Sequence, residues 1–367
     1  MKRAAALLLL ALCLALPAAA RAAEPVRLRF SRQELEAKWR ERIQSLLAKG
    51  VIPLVDMESS FPNGDERYTE ETLGVMDEAG LALIAFDGYQ APRDGKTRGY
   101  RWGYAVHRLV NAHPGRFILA TNGGTNPNWT SQRGGTPTDF IDQLEAHVRS
   151  GDYPLIGEVE FRHYMSAFQC RTGRTGRDVN IPINGPNGRR LFRLAAETGV
   201  PFGIHHEPED APLQALEEML AAYPKAKVIV AHFGQLRHPE KQTKFGPELV
   251  RRLLRAYPNL HYDISTGFPG RRYACNENVL DTAIWREGFL GGQGDSLKPE
   301  YKAILTEFRT RFVAATDYGG GRKPLPEFLR ERAANLRLIL RELPGEAQHD
   351  IAYRNAWRLL TGKEWKP

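Results

Sequence analysis

Residues 201–234 have the sequence PFGIHHEPEDAPLQALEEMLAAYPKAKVIVAHFG, which contains one complete strand–helix–strand unit. Two short apolar runs, 201–207 and 227–234, flank a helical pattern over 213–223. A short apolar run between turn signals is typical of a buried strand, and a helix that connects two such runs makes the strands parallel. The stretch therefore predicts a parallel sheet of the α/β class.

The same alternation of apolar runs and helical patterns continues along the chain. The eight apolar runs are 51–58, 81–87, 117–122, 155–163, 201–207, 227–234, 260–267 and 312–319. An amphipathic helix over 31–48 precedes them, and helices over 326–341 and 347–360 follow. Eight parallel strands without a linker predict one (β/α)8 barrel of the TIM type over residues 23–367, with an extra N-terminal helix and C-terminal helices. An open doubly wound sheet is the alternative, although no glycine-rich phosphate turn follows the first run.

The first 22 residues have the composition of a signal peptide. Lys2 and Arg3 precede an apolar run over 4–16, and Ala20-Arg21-Ala22 is a small-x-small cleavage pattern. The apolar run is too short to span a bilayer as a helix. We therefore expect an exported protein, periplasmic or secreted, without a stable membrane anchor.

Charge and cysteine content limit the classes of partner. The chain has 51 Lys and Arg against 43 Asp and Glu, a formal net charge of +8, but the two signs are mixed along the helices. No basic run with interleaved aromatic residues is present, so we expect a small-molecule substrate and no nucleic acid. Cys170 and Cys275 lie outside the signal peptide and form either one disulfide or two separate thiols.

Ionisable residues stand at the ends of the apolar runs, where the active sites of barrels lie. They are Asp56 and Glu58 in the first run, Glu158, Glu160 and His163 in the fourth, His205, His206 and Glu207 in the fifth, His232 in the sixth, Asp263 in the seventh and Asp317 in the eighth. Carboxylates and imidazoles that converge in one mouth need a cation or protons to compensate them. A divalent metal site is the simplest interpretation.

Four segments resemble the amidohydrolase superfamily, specifically its amidohydrolase-related branch of metal-dependent hydrolases and decarboxylases. VIVAHFG at 228–234 is similar to the sixth strand of that family, YDIS at 262–265 to the seventh, FVAATD at 312–317 to the eighth, and IAYRNAWRLL at 351–360 to its closing helix. The resemblance implies that His205 and His232 bind a metal, and that Asp317 binds it or accepts a proton from its water. His206 is the alternative to His205, because a shift of one residue exchanges the side chain that faces the mouth.

The first strand departs from the family pattern, which has two histidines two residues apart. Asp56-Met57-Glu58 keeps the spacing, so both carboxylates share one face, but the ligands are harder. This change favours manganese, magnesium or calcium over zinc, or accompanies the loss of the metal.

The position of each ionisable residue and the family resemblance together predict its role. We expect the metal, Zn, Mn or Mg, to be bound by Asp56, Glu58, Glu160, His205, His232 and Asp317. Asp317 and His232 are the expected catalytic residues, and Glu158, His163, His206 and Glu207 are expected to contact the substrate. Glu158 is a second candidate beside Glu160, because Gly157-Glu158 resembles the start of the family's fourth strand.

The resemblance implies a reaction in which the ion activates a water, Asp317 accepts its proton, and an amide, ester or lactone-like bond is cleaved. Two alternatives stay open. The carboxylates at the first strand are also consistent with a degenerate barrel that only binds a small ligand. A carboxylate-rich mouth near arginines is consistent with a phosphodiesterase-like barrel. Arginines in the long segments 164–188 and 268–298 are consistent with recognition of an anionic substrate, and the alternative is that they only decorate the surface.

Overall fold

A computed structural model gives the arrangement of most of the chain. It describes residues 26–60, 67–87, 89–90, 101–102, 105–121, 123, 140–165, 167–174, 178–233, 237–238, 241, 246–270, 272–273, 275–276, 284–318 and 325–367. The expected signal peptide, residues 1–22, lies outside this part of the chain. None of the helices in the described part is both long and apolar enough to cross a membrane.

Strands and helices alternate as the sequence predicts. The strands are β1 (Leu54–Ser60), β2 (Leu81–Asp87), β3 (Tyr89–Gln90), β4 (Arg101–Trp102), β5 (Phe117–Ala120), β6 (Ile156–His163), β7 (Val179–Asn180), β8 (Phe202–His206), β9 (Val228–Val230), β10 (Leu260–Asp263) and β11 (Phe312–Val313). The helices are α1 (Arg32–Leu47), α2 (Arg67–Ala79), α3 (Ala105–Ala112), α4 (Phe140–Ser150), α5 (Ala167–Thr172), α6 (Pro186–Thr198), α7 (Asp210–Ala222), α8 (Pro247–Ala256), α9 (Pro299–Glu307), α10 (Leu325–Leu340), α11 (Gly345–His349) and α12 (Asn355–Thr361). A 3-10 turn (Arg309–Arg311) precedes β11, and a π-helical turn (Asp350–Arg354) joins α11 to α12.

The two larger sheets consist almost entirely of parallel strands. One sheet has the order β1-β2-β5, and the other has the order β11-β10-β9-β8-β6 with β7 antiparallel at its edge. Each of the eight predicted apolar runs overlaps one of the parallel strands, which establishes an α/β fold. β9 is shorter than its apolar run because the chain turns into the left-handed region at His232, where φ is 60°.

Backbone hydrogen bonds join the edges of the two sheets. Between β5 and β6, the Thr121 amide donates to the Leu155 carbonyl at 3.0 Å. On the other side, the Met57 amide donates to the Ala314 carbonyl at 3.0 Å, and the Asp317 amide donates to the Glu58 carbonyl at 3.1 Å. These contacts bring the carboxyl ends of β1 and β11 together.

Helix α1 packs against the core through a single apolar stripe. Its buried residues are Leu35, Trp39, Ile43 and Leu46, which recur every three or four positions. Ser31 and Glu34 form a reciprocal capping box that fixes the first turn of this helix.

Asp56 fastens β1 to the segment that follows β11. Its side chain is fully buried, and its Oδ1 accepts hydrogen bonds from the amides of Glu58 at 3.1 Å and Thr316 at 2.9 Å. Its Oδ2 accepts from the hydroxyls of Ser59 at 2.7 Å and Thr316 at 2.5 Å. Burial raises the pKa of Asp56 to about 7, although the hydrogen bonds from Thr316 and Ser59 act in the opposite direction. Both carboxylate oxygens are therefore engaged in holding the two strands together.

We expect Asp56→Ala to lower the free energy of unfolding by about 2–4 kcal/mol, because several buried donors would lose their acceptor. Urea denaturation followed by circular dichroism measures this difference. Ser60→Ala is the matched control on the same strand, since it removes only one part-buried hydrogen bond, to Asp87 at 3.0 Å, and should cost about 1 kcal/mol or less. An Asp56→Ala protein as stable as the control would contradict the structural role of Asp56.

Candidate metal centre

Three side chains from neighbouring strands meet at the carboxyl end of the larger sheet. Glu158 comes from β6, His205 from β8, and His232 follows β9. Oε1 of Glu158 lies 2.9 Å from Nδ1 of His205 and 3.4 Å from Nε2 of His232. One ligand atom from each residue lies within 4.8 Å of the other two. We call Glu158, His205 and His232 the cluster.

The alternation of side chains along β8 separates His205 from His206. Successive side chains of a strand point to opposite faces, so only one of the two histidines can face the cluster. The structure places His205 there. Nε2 of His206 lies 2.7 Å from the carbonyl oxygen of Pro212. His205, His206 and His232 all line a small cavity of about 50 Å³, together with apolar residues of α7 and α8. Burial lowers the pKa of His206 to about 4.

His232 is held by the end of the next strand. Its amide donates to Oδ1 of Asp263 at 2.9 Å. Its Nδ1 lies 2.7 Å from the hydroxyl and 3.1 Å from the carbonyl of Ser265, and Asp263 also accepts from the amide of Ser265 at 2.9 Å. A proton on Nδ1 that is donated to Ser265 leaves the Nε2 lone pair directed at Glu158. Asp263 thus orients His232 and stands behind the cluster.

Two residues of the site have unusual backbone conformations. His232 at φ 60° and Asp317 at φ 50° are the non-glycine residues with positive φ in the described part of the chain. Such a conformation costs about 1–3 kcal/mol and persists where the surrounding contacts enforce it, most often at functional sites. Both positions are those for which the sequence predicts catalytic roles.

Two further carboxylates lie beside the cluster. Burial raises the pKa of Glu58 well above its usual value, and the negative charges of Asp317, Glu158 and Asp263 raise it further. Oε2 of Glu58 is buried and has no hydrogen-bond partner in the described part of the chain. Glu58 therefore has a free ligand atom next to the cluster, unlike Asp56 on the same strand.

Asp317 contacts a buried arginine that the sequence does not single out. Nη2 of Arg332, on α10, lies 3.3 Å from Oδ2 of Asp317, and its Nη1 donates to the Thr266 carbonyl at 2.8 Å. Arg332 is only 2% exposed, whereas about a third of the Asp317 side chain is accessible. Arg332 thus orients a carboxylate that stays within reach of a small molecule. In the sequence, the feature that could have pointed to Arg332 is the presence of one arginine on the apolar face of a helix.

The residues of the cluster shift one another's pKa values. Burial by itself would raise the pKa of Glu158, but hydrogen bonds from His205 and His232 hold it well below its usual value. Burial by itself would lower the pKa of His232, but Glu158, followed by Asp317 and Asp263, raises it to about 9. The surrounding carboxylates thus favour a positive charge within the cluster.

The residues present fit a divalent cation. One carboxylate oxygen and two imidazole nitrogens converge, and the buried Oε2 of Glu58 lacks a partner in the described residues. Mixed nitrogen and oxygen ligands of this kind suit zinc or manganese.

Glu207 lies on the far side of His205 from Glu158. Its Oε1 is 3.3 Å from Nε2 of His205 and contacts Nη1 of Arg237. Burial alone would raise the pKa of Glu207, but Arg237 and His205 lower it to about 2. Arg237, which follows β9, is a second buried arginine that the sequence analysis does not identify.

Glu160 and His163 border the cluster. Glu160 pairs in register with His205 across the two strands, and its Oε1 lies 3.9 Å from Nε2 of His163. The rings of His163 and His205 have centroids 4.3 Å apart. Both residues are buried next to His205, and neither belongs to the three that converge most closely.

A disulfide ties together segments that follow β6 and β10. Cys170 and Cys275 are bonded, with Cα atoms 5.1 Å apart, which resolves the alternatives left by the sequence. The Tyr273 hydroxyl donates to the Met165 carbonyl at 2.9 Å, and Nδ2 of Asn276 donates to the Arg237 carbonyl at 3.0 Å. We call these bonded segments, 164–174 and 272–276 where described, together with 237–241, the cover.

Comparison with known proteins gives the family. A family model described as amidohydrolase matches residues 172–361, more than half of the chain, and this range contains His205, His232 and Asp317. The chain therefore belongs to the amidohydrolase family, which is a family of enzymes. The resemblance drawn from the sequence is confirmed.

Several solved structures are similar to this chain. They include 4-oxalomesaconate hydratase from Rhodopseudomonas palustris, with 15% identity, coverage of 89% of this chain and 91% of that chain, and a TM-score of 0.46. 2,6-Dihydroxybenzoate decarboxylase from Rhizobium has 12% identity, coverage of 84% and 98%, and a TM-score of 0.45. 5-Carboxyvanillate decarboxylase from Sphingomonas paucimobilis has 12% identity, coverage of 84% and 99%, and a TM-score of 0.44. No curated protein matches the chain.

Removal of the disulfide should destabilise the protein. The bond closes a loop with a sequence separation of 105, so the Cys170→Ser/Cys275→Ser variant should lose about 2–4 kcal/mol of unfolding free energy. Denaturant titration measures the loss, and wild type under a reducing agent should show the same shift. Equal stability of the oxidised and reduced wild-type protein would contradict this expectation.

The metal-free protein should become less stable as the pH rises from about 6.5 to about 9. His232 keeps its proton up to about pH 9 in the folded state, whereas an unfolded histidine loses it near 6.5. Between these values the folded state binds more protons, so a rise in pH favours unfolding. Thermal melts of chelator-treated protein across this range measure the slope, and His232→Gln should flatten it. An unchanged slope in His232→Gln would assign the dependence to another group.

Proposed function

We propose that this chain is an exported, metal-dependent hydrolase that cleaves an amide, ester or lactone-like bond in a small molecule. The observation that carries the proposal is the convergence of Glu158, His205 and His232 within 4.8 Å, in a chain of the amidohydrolase family. Imidazole and carboxylate ligands from neighbouring strand ends are typical of catalytic metal sites with an open position.

The proposal includes a closed eight-stranded barrel as the fold that carries the site. The backbone hydrogen bonds from Thr121 to Leu155, and from Met57 to Ala314, support closure because they join both pairs of edges of the two sheets. In a barrel of this kind all strand ends open into one mouth, which brings Glu58 and Asp317 to the cluster.

Glu158, His205 and His232 would hold the ion, and Glu58 would add a fourth ligand through a carboxylate oxygen. Zinc or manganese suits this set better than magnesium, because two of the donors are imidazoles. When bound, a divalent cation lowers the pKa of water and polarises the scissile carbonyl group.

The protein side chains supply the proton transfers and the orientation. Asp317 accepts a proton from the attacking water and returns it to the leaving group, a role that its accessible carboxylate permits. Arg332 and the Glu58 carbonyl hold Asp317 through its side chain and its amide. Ser265 and Asp263 keep His232 in one orientation.

Export and an anionic substrate complete the proposal. The disulfide between Cys170 and Cys275 supports an oxidising compartment and agrees with the expected signal peptide. Arg171, Arg174 and Arg272 lie exposed on the cover, where they could attract an anion to the mouth.

Metal analysis and two substitutions test the proposal. Protein purified without chelators should contain about one divalent ion or more per chain, and chelation should abolish hydrolysis until the ion is restored. His232→Ala should lose the ion and the activity. Asp317→Asn should keep the ion and lose a factor of about 10²–10⁴ in kcat, because only proton transfer is removed. His113→Ala, away from the cluster, is the control and should match wild type in both measurements.

A panel of carboxyl esters, lactones, amides and phosphodiesters separates the reaction classes. Hydrolysis of a carboxyl substrate supports the proposal. Hydrolysis of phosphodiesters alone would establish the phosphodiesterase alternative instead. A protein without bound metal, in which His232→Ala and Asp317→Asn change nothing, would be the barrel that binds a ligand without chemistry.

A further inference from the structure

The imidazole of His205 lies between two carboxylates. Its Nδ1 is 2.9 Å from Oε1 of Glu158, and its Nε2 is 3.3 Å from Oε1 of Glu207. The side chain is 3% exposed, so water has little access to either nitrogen. The partners of these two nitrogens therefore decide where the single proton of a neutral ring resides.

A histidine that binds a metal needs a lone pair on one nitrogen and an acceptor for the proton on the other. Carboxylates in this second position fix the tautomer and the ring orientation of metal-binding histidines, and their loss typically weakens metal binding 10- to 100-fold. Nδ1 is the nitrogen next to Glu158, so Nδ1 must be unprotonated for metal binding. Glu207 is the acceptor placed at the other nitrogen.

Arg237 provides the charge that keeps Glu207 in place. Its Nη1 contacts Oε1 of Glu207, and its backbone carbonyl accepts from Asn276, next to the disulfide. Glu207 is 3% exposed, and a buried carboxylate needs such a partner. The cover thus delivers a guanidinium to the side of His205 that faces away from Glu158.

The same guanidinium distinguishes two tautomers of His205. Nη1 of Arg237 lies 3.0 Å from Nε2 of His205, a hydrogen bond that forms only when Nε2 carries no proton. In that tautomer Nδ1 donates to Glu158 and binds no metal. In the other tautomer Nε2 donates to Glu207, and the Nδ1 lone pair points into the cluster.

We propose that Glu207 is a positioning residue that accepts the Nε2 proton of His205 and so directs the Nδ1 lone pair to the metal, with Arg237 as its counter-charge. This inference rests on the proposed metal centre, and it gives Glu207 a role other than contact with the substrate.

Zinc affinity, measured by competition with a chromogenic chelator, tests the proposal. Glu207→Met should bind Zn²⁺ about 10- to 100-fold more weakly than wild type. The double variant Glu207→Met/Arg237→Met should show a loss in the same range without leaving a guanidinium buried and unbalanced, so it decides the question if the single variant does not fold. Glu209→Met is the matched control. Glu209 lies two residues away and also pairs with an arginine, Arg162, at 2.7 Å, and in the described part of the chain it forms no hydrogen bond or ion pair with the cluster. It should bind Zn²⁺ within twofold of wild type.

Nitrogen-15 NMR of the histidine rings gives a readout that does not depend on activity or on the variants. In zinc-loaded wild type the proton of His205 should be on Nε2. A proton on Nδ1, or wild-type zinc affinity in the folded Glu207 variants, would overturn the inference while leaving the metal centre in place. Wild-type protein that binds no Zn²⁺ would instead overturn the proposed function.

Discussion

Buried carboxylates must be compensated, and this constraint shapes the whole carboxyl end of the sheet. Asp56, Glu207 and Asp263 are buried, and Glu58 and Glu158 are partly buried. They lie on β1, β6 and β10 or directly after β8. Each uncompensated charge in such a place would cost several kcal/mol, so the surrounding contacts must supply hydrogen-bond donors or positive charge. The arrangement of this end follows from how each carboxylate meets that requirement.

The solutions differ from one carboxylate to the next. Asp56 accepts hydrogen bonds from amides and hydroxyls, whereas Glu207 forms an ion pair with Arg237 and Asp317 forms one with Arg332. Glu158 lies between two imidazoles, and Glu58 has neither an arginine nor a donor to its buried Oε2 within the described residues. Compensation is therefore weakest between Glu58 and Glu158. That is where a cation would lower the free energy most, and the imidazoles beside it are neutral ligands that do not add to the repulsion.

The local pattern of the sequence predicts the elements and part of the site. The alternation of apolar runs with helical patterns indicates the eight parallel strands, and family resemblance indicates His232 and Asp317. The spacing of residues in the sequence does not predict the other features of the site. Asp56 and Glu58 share one face, but spacing does not tell how deep each lies. Thr316 donates to Asp56 through both its amide and its hydroxyl, and this contact depends on tertiary packing. Arg237 and Arg332 come from a loop and a helix whose contacts depend on tertiary packing, and the bond from Cys170 joins segments 105 residues apart.

His232 and Asp317, the two residues with a left-handed backbone conformation, are each positioned by a neighbouring strand. The amide of His232 donates to Asp263 at the end of β10, and the amide of Asp317 donates to the Glu58 carbonyl at the end of β1. Each strained residue is thus held by the strand beside it, so its orientation depends on the pairing of two strands rather than on its own. A change that loosens β1 from β11 would release the strain at Asp317 even if no site residue were altered. For this reason the hydrogen bonds of Asp56 also contribute to the geometry of the site, because they hold the segment after β11 in the position from which Asp317 turns.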